Sequence, residues 1–435
     1  MLFVQNICLF SSVKMKPEPE AQSNGEQQVT GDVIGDTAYS ERFVLKILLK
    51  LANLDTLKDE LQEQTFEEDL CTLWDMTAER DVVLFLLKHD MLNLLSFAWP
   101  IIDNPRTVEI LIGIIANMCC QKEAVEKLLN MNSLVSSLLE YIKTDDSLLL
   151  IQLLRLLNSS IFLATEDSIS VWVKLFINSG YSNSLYYILK NSSNKDLLVN
   201  ALENFNTICT YCNVGKFRTD FFGHFVSVEA LESLLTAFIE VTDTQKDSCE
   251  IEQLERVLLI SLQIILNLVG FDRSKEIYSD NKNEVIKIIS QAFKYYENKL
   301  VNMKEIDMDL VDIVDSTISI TDVMTIHEMC NPDQFYVQSC KMWKTLHCMR
   351  DCSKTSVELD AEDLEQVSLQ LKASLSKLIF IYIAKCGVEH LLDALDEVTE
   401  YYDEISSQVE DESVLATVSR RVSSYRTRLK ESVDC

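Results

Sequence analysis

The chain has 435 residues, of which only 9 are Gly and 5 are Pro. Turns between short strands depend on those two residues, so this scarcity argues against a β-sandwich, a propeller or a collagen-like chain. Hydrophobic residues at 47% and charged residues at 25% are typical of a folded chain with a sizeable core. The formal net charge of −29 repels phosphate backbones, so no direct nucleic-acid binding is expected.

The N-terminal residues 1–30 predict a disordered lead segment. Residues 16–30, KPEPEAQSNGEQQVT, are polar and rich in Pro, Glu and Gln, a composition that cannot bury a core. Residues 1–10 are apolar but have no basic n-region and no small-residue cleavage site, which disfavours a secretory signal. Met15 is an alternative to Met1 as the start of translation.

Cysteine usage and apolar runs indicate the compartment. The 13 Cys are scattered singly, which suits reduced thiols in the cytosol or nucleus rather than a disulfide framework. The longest apolar runs, such as 378–384 and 82–87, fall well short of the roughly 18 residues of a membrane span. We therefore expect no transmembrane helix.

Beyond residue 37, apolar positions recur at spacings of three and four, which predicts one amphipathic helix after another. Thr65 and Glu68 are spaced as a capping box before the apolar run 70–76. Asn104 followed by Pro105 predicts a second helix start, because Asn caps and Pro at the first position loses no hydrogen bond. No strand is required anywhere.

Four strongly apolar segments can be aligned, and each has an Asn late in its run. These are Asn117, Asn158, Asn206 and Asn267, spaced by 41, 48 and 61 residues. The first two spacings fit an armadillo or HEAT unit, and an insertion at 242–250 would explain the third. Because one such unit cannot bury its apolar face alone, neighbours must stack. The prediction is an all-α, armadillo/HEAT-like helical-repeat superhelix.

These four Asn have two interpretations. In the first, each buried amide satisfies polar groups between helices, as most buried polar groups do. In the second, the amides form a ladder along a groove and hold the backbone of an extended peptide. Armadillo proteins that bind basic peptides also place a Trp one turn before the Asn. The residues at those positions here offer no aromatic ring for a Lys or Arg side chain: Gly113, Leu154, Leu202 and Gln263.

Several segments together resemble the serum amyloid A-like protein 1 family over roughly residues 31–225. In chain order they are GDVIGDTAYS (31–40), CTLWDM (71–76), DVVLFL (81–86), GIIANM (113–118), SVWV (170–173) and DLLV (196–199). The resemblance implies a nuclear or nucleocytoplasmic armadillo-like protein linked to promotion of cell proliferation. It implies no enzymatic activity and brings no catalytic residues. Nothing resembles serum amyloid A itself.

Two features inside the resembling region have local interpretations. Trp74 is expected to pack between repeats and Asp75 to lie outside, since Trp is largely buried on average. Residues 31–40 contain two Gly and two Asp before the first helix. That segment is predicted to fold over the end of the array as an N-terminal cap.

Cysteine and histidine clusters suggest a rival function, a zinc- or redox-dependent protein. Cys209 and Cys212 form a CxxC without a second pair at the usual spacing, so packed thiols are the favoured interpretation. A denser set follows near the C-terminal third: Cys340, His347, Cys348 and Cys352. On a continuous helix this set has poor tetrahedral geometry, so no metal and no cofactor are expected.

Other catalytic and metal motifs are missing from the sequence. A run of carboxylates from Asp307 to Asp315 lacks the Gly and Glu of a calcium loop, and we expect it on a helix with its carboxylates in solvent. The five His have no metalloprotease spacing, and there is no phosphate-binding loop. An enzyme is therefore not expected.

The C-terminal part is acidic and then basic. Its acidic residues are Asp393, Asp396, Glu397, Glu400, Asp403, Glu404, Glu410, Asp411 and Glu412. Its basic residues are Arg420, Arg421, Arg426, Arg428 and Lys430. We expect the two blocks to form an intramolecular latch. Arg420-Arg421-Val422-Ser423 fits a basophilic kinase pattern, so Ser423 is a candidate phosphosite that would loosen the latch.

The predicted organisation has a lead segment (1–30), armadillo-like repeats (31–300), further acidic helical repeats (301–410) and a charged tail (411–435). The predicted function is a non-catalytic scaffold or adaptor. Side chains near Asn117, Asn158, Asn206 and Asn267 would contact a protein or peptide partner. Because the chain is acidic, that partner is expected to offer basic segments.

Overall fold

The computed structural model describes residues 32–244, 251–326, 333–349, 354–355 and 361–433. The predicted disordered lead segment, Met15, Cys352 and most of the predicted insertion therefore lie outside the described residues. The chain divides into two compact units, Met1–His224 (unit 1) and Phe225–Cys435 (unit 2). The predicted repeat boundary at residue 300 falls inside a helix of unit 2.

Unit 1 is built from four groups of three helices, followed by one more helix whose last residue, Phe225, falls in unit 2. They are α1 (Glu41–Ala52), α2 (Leu54–Glu60), α3 (Gln64–Met76), α4 (Arg80–Lys88), α5 (Met91–Ala98), α6 (Pro105–Met118), α7 (Lys122–Leu129), α8 (Asn132–Glu140), α9 (Ser147–Phe162), α10 (Glu166–Ser179), α11 (Tyr181–Asn191), α12 (Lys195–Cys212) and α13 (Arg218–Phe225). The third helices stack in chain order, α3 on α6, α6 on α9 and α9 on α12. This stacking of helix triplets confirms the prediction of an all-α, armadillo-type helical-repeat fold.

Unit 2 is also helical. Its helices are α14 (Val228–Ile239), α15 (Ile251–Val269), α16 (Ser274–Ile277), α17 (Lys282–Met303), α18 (Asp309–Val323), α19 (Asp333–Cys348), α20 (Ala361–Lys385), α21 (Leu391–Val398), α22 (Tyr402–Ser407) and α23 (Glu412–Val433). α15 packs on α18, α18 on α20 and α20 on α23, while α17 packs on α19. Two short parallel strands, β1 (Glu305–Ile306) and β2 (Lys354–Thr355), form the small sheet of the described residues.

Two helix starts show where the local sequence is sufficient to predict an N-cap and where it is not. Asn104 caps α6 as predicted, because its side chain accepts hydrogen bonds from the backbone N–H groups of Arg106 and Thr107. The capping box predicted at Thr65 is wrong. α3 begins one residue earlier, at Gln64, and its N-cap residue makes no side-chain cap bond. Phe66 is fully buried within the first turn, so its packing in the core favours a helix that begins before Thr65.

The described part of the predicted cap, residues 32–40, is fixed to the start of α1. Ser40 accepts a hydrogen bond from the backbone N–H of Phe43 at 3.2 Å and donates one to Asp32 at 2.8 Å. Asp32 also accepts from the backbone N–H of Arg42 at 2.8 Å. That bond, with the Ser40 hydroxyl, lowers the pKa of Asp32. The segment thus satisfies donors that the start of a helix leaves open.

The same segment also reaches the second helix triplet. Gly35 has a φ of +55°, and a Cβ there would lie 2.8 Å from the Cβ of Asp81 on α4. The backbone N–H of Asp36 donates to the Asp81 carboxylate at 3.0 Å. Ile34 is 2% exposed. Residues 32–40 therefore lie over the first repeats of unit 1, where a cap was predicted.

One described helix has the dimensions of a membrane span. Within α20, the segment Leu364–Lys385 is long and apolar enough to cross a bilayer, and the bent pair Arg80–Lys88 and Met91–Ile101 passes the same test together. The sequence had predicted no transmembrane helix, because Ser and Lys residues divide the apolar sequence of α20 into short runs. Leu371, Leu375 and Leu378 are fully buried, so α20 serves as a core helix of unit 2.

Candidate partner-binding face

The third helices of unit 1 bring an aromatic ring onto a glycine. Trp74, on α3, lies against Gly113 on α6, so that a Cβ at this glycine would lie 2.7 Å from Nε1 of the indole. The ring remains half-buried. Trp74 therefore packs between two repeats, as predicted, and Asp75 beside it is exposed. A glycine is needed one turn before Asn117 because the ring occupies the space of a side chain.

Asn117 joins three helices. Its Nδ2 donates to the hydroxyl of Thr77 at 3.0 Å and to the backbone carbonyl of Trp74 at 3.4 Å. Its Oδ1 accepts from the guanidinium of Arg155 on α9 at 3.3 Å. Residues 107–116 and 118 of α6 are buried, whereas Asn117 is half-buried. The amide thus lies where α6 reaches the surface, directly beside Trp74.

Asn158 lies inside the helix stack. It is 5% exposed, and its Oδ1 accepts a hydrogen bond from Nδ2 of Asn204 on α12 at 2.9 Å. Asn204 in turn accepts from the hydroxyl of Tyr181 at 2.7 Å, and burial raises the pKa of that phenol. The chain of three polar groups supports the interpretation of Asn158 as a satisfied buried amide.

The other two predicted Asn differ in their surroundings. Asn206 is 9% exposed on α12, one helix further along the stack. Asn267 lies in unit 2, on α15, and donates from Nδ2 to the backbone carbonyl of Gln263 at 2.9 Å. Asn117, Asn158 and Asn206 are therefore on consecutive stacked helices of unit 1. Partner contact at any of the four stays a prediction.

Sequence reasoning missed Asn204 and Tyr181. Asn204 stands two residues before Asn206 in the same apolar run, and it lies 46 residues after its partner Asn158, a repeat-like spacing. The alignment of the repeats used Asn206 and therefore did not point to this contact. The signal was present, because two amides one repeat apart can satisfy each other on adjacent inner helices.

The CxxC thiols are enclosed in unit 1. Cys209 and Cys212 are both fully buried on α12. Burial raises the pKa of both thiols, in the case of Cys212 to about 12. A thiolate is the form that binds metals and attacks disulfides, so burial keeps both groups in the inactive form. This geometry favours packed helix thiols over a redox pair.

The second cysteine cluster of the rival prediction is dispersed. Cys340 is 1% exposed, and burial raises its pKa to about 12. Cys348 is exposed on the same helix, and Cys352 lies outside the described residues. His347 contacts a lysine and a glutamate rather than a thiol. Across the residues that the structure describes, no group of three or more His, Cys, Asp or Glu is arranged to hold a metal ion.

The carboxylate run near residue 307 requires a correction. Asp307 was expected on a helix in solvent, but it precedes α18 and is 6% exposed. Its carboxylate accepts from the ammonium of Lys299 at 2.5 Å, and that ammonium also contacts Glu255 at 2.5 Å and Glu305 at 3.2 Å. A buried lysine therefore attracts this carboxylate inward, which the sequence pattern of α18 alone could not indicate.

Asp309 begins α18 at the edge of the same cluster. Burial, together with the neighbouring carboxylates of Asp307, Asp312 and Glu255, raises its pKa to about 6, against a lowering effect of Lys299. The predicted inward face of α18 is confirmed, since Leu310 and Val314 are buried along with other apolar residues of the helix.

The predicted C-terminal latch has a different contact in the described residues. The guanidinium of Arg421 donates to the backbone carbonyls of Ile383 at 2.9 Å and Cys386 at 2.6 Å, at the end of α20. The negative end of a helix attracts a cation there. Side chains 425–433 are outside the described set, so the latch to Arg426, Arg428 and Lys430 stays a prediction. Ser423 is exposed on α23, and its phosphorylation stays a prediction too.

No family model matches this chain. Protein saal1 of Danio rerio is 32% identical over 191 residues, which are 42% of this chain and 40% of that protein. Protein SAAL1 of Homo sapiens is 30% identical over 181 residues, 39% of this chain and 38% of that protein. These relatives confirm the resemblance to the serum amyloid A-like 1 proteins. The chain spans about 40% of the length of the curated relatives that it matches.

A solved structure is similar in fold. The crystal structure of the SYS-1/POP-1 complex matches with a TM-score of 0.50 and 13% identity, over 85% of this chain and 64% of that chain. At this identity the likeness concerns the fold alone. It agrees with the stacked helix triplets of unit 1.

Proposed function

We propose that the protein is a non-enzymatic adaptor that binds a peptide segment of a partner protein on unit 1. The binding face is defined by Trp74, Asp75 and Asn117, where α3 and α6 meet; we name it the Trp74 face. The observation that supports it is the half-buried indole packed on Gly113, one turn before Asn117 on α6. The sequence has no aromatic residue one turn before Asn117 on α6, but the preceding repeat places the ring of Trp74 at that position.

The Trp74 face combines the groups that hold an extended basic peptide. An indole face attracts an ammonium or guanidinium, and one such contact is worth about 0.5–2 kcal/mol. Both N–H groups of the Asn117 amide are donated within the fold, but its Oδ1, which has two lone pairs, can accept one more hydrogen bond from a peptide N–H. Asp75 is exposed next to the ring, and the net charge of −29 draws cationic segments from a distance. The partner is therefore a Lys- or Arg-containing peptide.

The resemblance to the serum amyloid A-like 1 proteins supports a wider proposal. We propose that the protein acts in the nucleus, or in exchange between nucleus and cytoplasm, in a pathway that promotes cell proliferation. The partner that this role requires is another protein rather than a nucleic acid, because the acidic chain repels phosphates. Fluorescence microscopy of the full chain in cells tests the location, and exclusion from the nucleus under all growth conditions would contradict it.

Charge reversal at Asp75 tests the Trp74 face without disturbing packing. Asp75→Lys and the control Asp55→Lys make the same change on exposed residues of neighbouring helices. Quantitative affinity purification identifies partners that the wild-type chain retains. The proposal requires that at least one partner is lost with Asp75→Lys and kept with Asp55→Lys. Equal recovery of every partner by both variants would refute this face as the binding site.

Salt dependence then distinguishes the two chemistries of a peptide partner. With the purified partner, a basic peptide should bind several-fold more weakly at about 0.5 M than at about 0.1 M salt, because exposed charges are screened. An apolar helix bound at the Trp74 face would be nearly insensitive to salt. The second result would keep the adaptor function but would overturn the predicted preference for basic segments.

A further inference from the structure

A cavity opens between two helices of unit 2, α17 and α19. Its volume is about 420 Å³, within the range of about 300–1,000 Å³ that ligand sites have. Its lining residues are Lys294, Glu297, Gln334, Val337, Gln338 and Lys341. The four on α19 are spaced by three and four residues, so they share one face of that helix. Lys294 and Gln334 are exposed, and the cavity is therefore open to solvent.

One of the lining residues, Gln338, is a buried amide without a partner. It is 4% exposed, and within the part of the chain that the structure describes its Oε1 accepts no hydrogen bond. A buried carbonyl oxygen without a donor destabilises a fold, because it has lost water and gained nothing in exchange. Other buried positions of α19 are apolar, as at Phe335 and Met342. A ligand that donates an N–H group to Gln338 would remove this cost.

The charged residues of the lining leave an excess of positive charge. The ammonium of Lys341 lies 3.3 Å from the carboxylate of Glu297, so these two charges compensate each other. Lys294 is in no ion pair among the described residues. Its ammonium is therefore available at the mouth of the cavity, in a chain whose net charge is −29. A local positive charge of this kind attracts a carboxylate.

A peptide with an acidic side chain complements both groups. Its backbone supplies N–H donors to the Gln338 oxygen and carbonyl acceptors to the Gln338 nitrogen, since an amide side chain matches a peptide group in either orientation. Its Asp or Glu carboxylate pairs with Lys294. A basic peptide would place like charge beside Lys294, while Glu297 is already paired. An apolar segment would leave the Gln338 amide without a partner.

We propose that the cavity between α17 and α19 binds an acidic peptide segment of a partner protein. A backbone N–H of the peptide donates to Gln338, and an Asp or Glu side chain pairs with Lys294. This site belongs to unit 2, and its charge preference is opposite to that of the Trp74 face in unit 1. Neither site requires the other, and separate variants test them.

Selection of random peptides displayed on phage, with the full chain as bait, tests this site. Selected peptides are synthesised, and fluorescence anisotropy measures their affinity for the wild type and for two charge-reversal variants. Lys294→Glu should weaken the binding of acidic peptides at least about tenfold. The control Lys287→Glu changes an exposed residue of α17 outside the cavity lining and should alter affinity less than about twofold. A selection without any acidic peptide that distinguishes the two variants would overturn the proposal.

Gln338→Met then separates a binding role of this amide from a structural one. Met is similar in size but has no amide, so the affinity for the selected acidic peptides should fall about three- to tenfold. The oxygen that is removed has no donor among the described residues, so the urea midpoint of the free protein should stay the same or rise. A lower midpoint would mean that the fold itself satisfies Gln338, and an unchanged affinity would mean that the peptide does not contact it. Either result would contradict the proposal.

Discussion

The contact of Trp74 with Gly113 gives a prediction whose magnitude follows from geometry. A Cβ added at Gly113 would lie 2.7 Å from Nε1 of the indole, whereas ordinary contacts lie at 3.4–4 Å. The ring or the helix must therefore shift by about 1 Å, and overpacking of this kind costs about 1–3 kcal/mol. Gly113→Ala should destabilise unit 1 by that amount, although Ala favours a helix over Gly.

The same substitution in a Trp74→Leu variant isolates the contribution of the contact between Trp74 and position 113. In Trp74→Leu the space over position 113 is open, so Gly113→Ala should there stabilise by about 0.5–1 kcal/mol through helix propensity. The coupling free energy between the two positions is then about 1.5–4 kcal/mol. A Cβ at Gly223, in α13, would lie in open space, with no neighbouring atom within 4 Å. Gly223→Ala is therefore the control and should stabilise slightly.

Amide hydrogen exchange in α3 and α6 is the suitable assay. It measures the local free energy of opening, so unit 2 does not enter the result, as it would in a single denaturation curve. Protection of α6 should fall in Gly113→Ala and recover in the double variant with Trp74→Leu. If Gly113→Ala is as harmless as Gly223→Ala, the indole does not occupy the space over Gly113, and the Trp74 face loses its aromatic element.

Three further predictions concern polar groups that are buried or half-buried. In unit 2, Asp309→Asn should stabilise by about 1–2 kcal/mol at pH 7, once the pKa shift is discounted for solvent screening of this partly exposed side chain. The raised pKa of about 6 means that folding favours the protonated acid, so the stability that this acid contributes is present below about pH 4 and is lost as pH rises through 6. Urea unfolding should therefore show a gain for the variant at pH 7 and none at pH 4. Lys299→Met leaves the buried carboxylate of Asp307 without its ammonium and should cost about 3–5 kcal/mol. A loss below about 1 kcal/mol in urea unfolding would contradict a buried ion pair at this position. Tyr181→Phe removes the donor to Asn204 and should cost about 1–3 kcal/mol, read from exchange in α12, where unchanged protection would mean that water replaces the phenol.

Local sequence patterns predicted the structure correctly where the contacting residues are close together in the sequence. Asn104 caps the helix that follows it because donor and acceptor are two and three residues apart. The spacing of Asn117 and Asn158 located the inner helices of two successive repeats, because repeat units bury the same positions. Thr65 shows the limit, since a capping pattern was present but the burial of Phe66 extended the helix past it.

By itself the sequence determined an all-α chain of stacked repeats, since periodicity and the lack of turn residues act over short distances. Only the tertiary structure decided which polar groups meet: Trp74 with Gly113, Asn158 with Asn204, and Asp307 with Lys299. Such pairs are formed by helices that pack at angles and offsets that local patterns do not specify. The packing of the helices therefore decides which partner a buried polar group has. A buried group without a partner cannot be satisfied by water, because the site is desolvated.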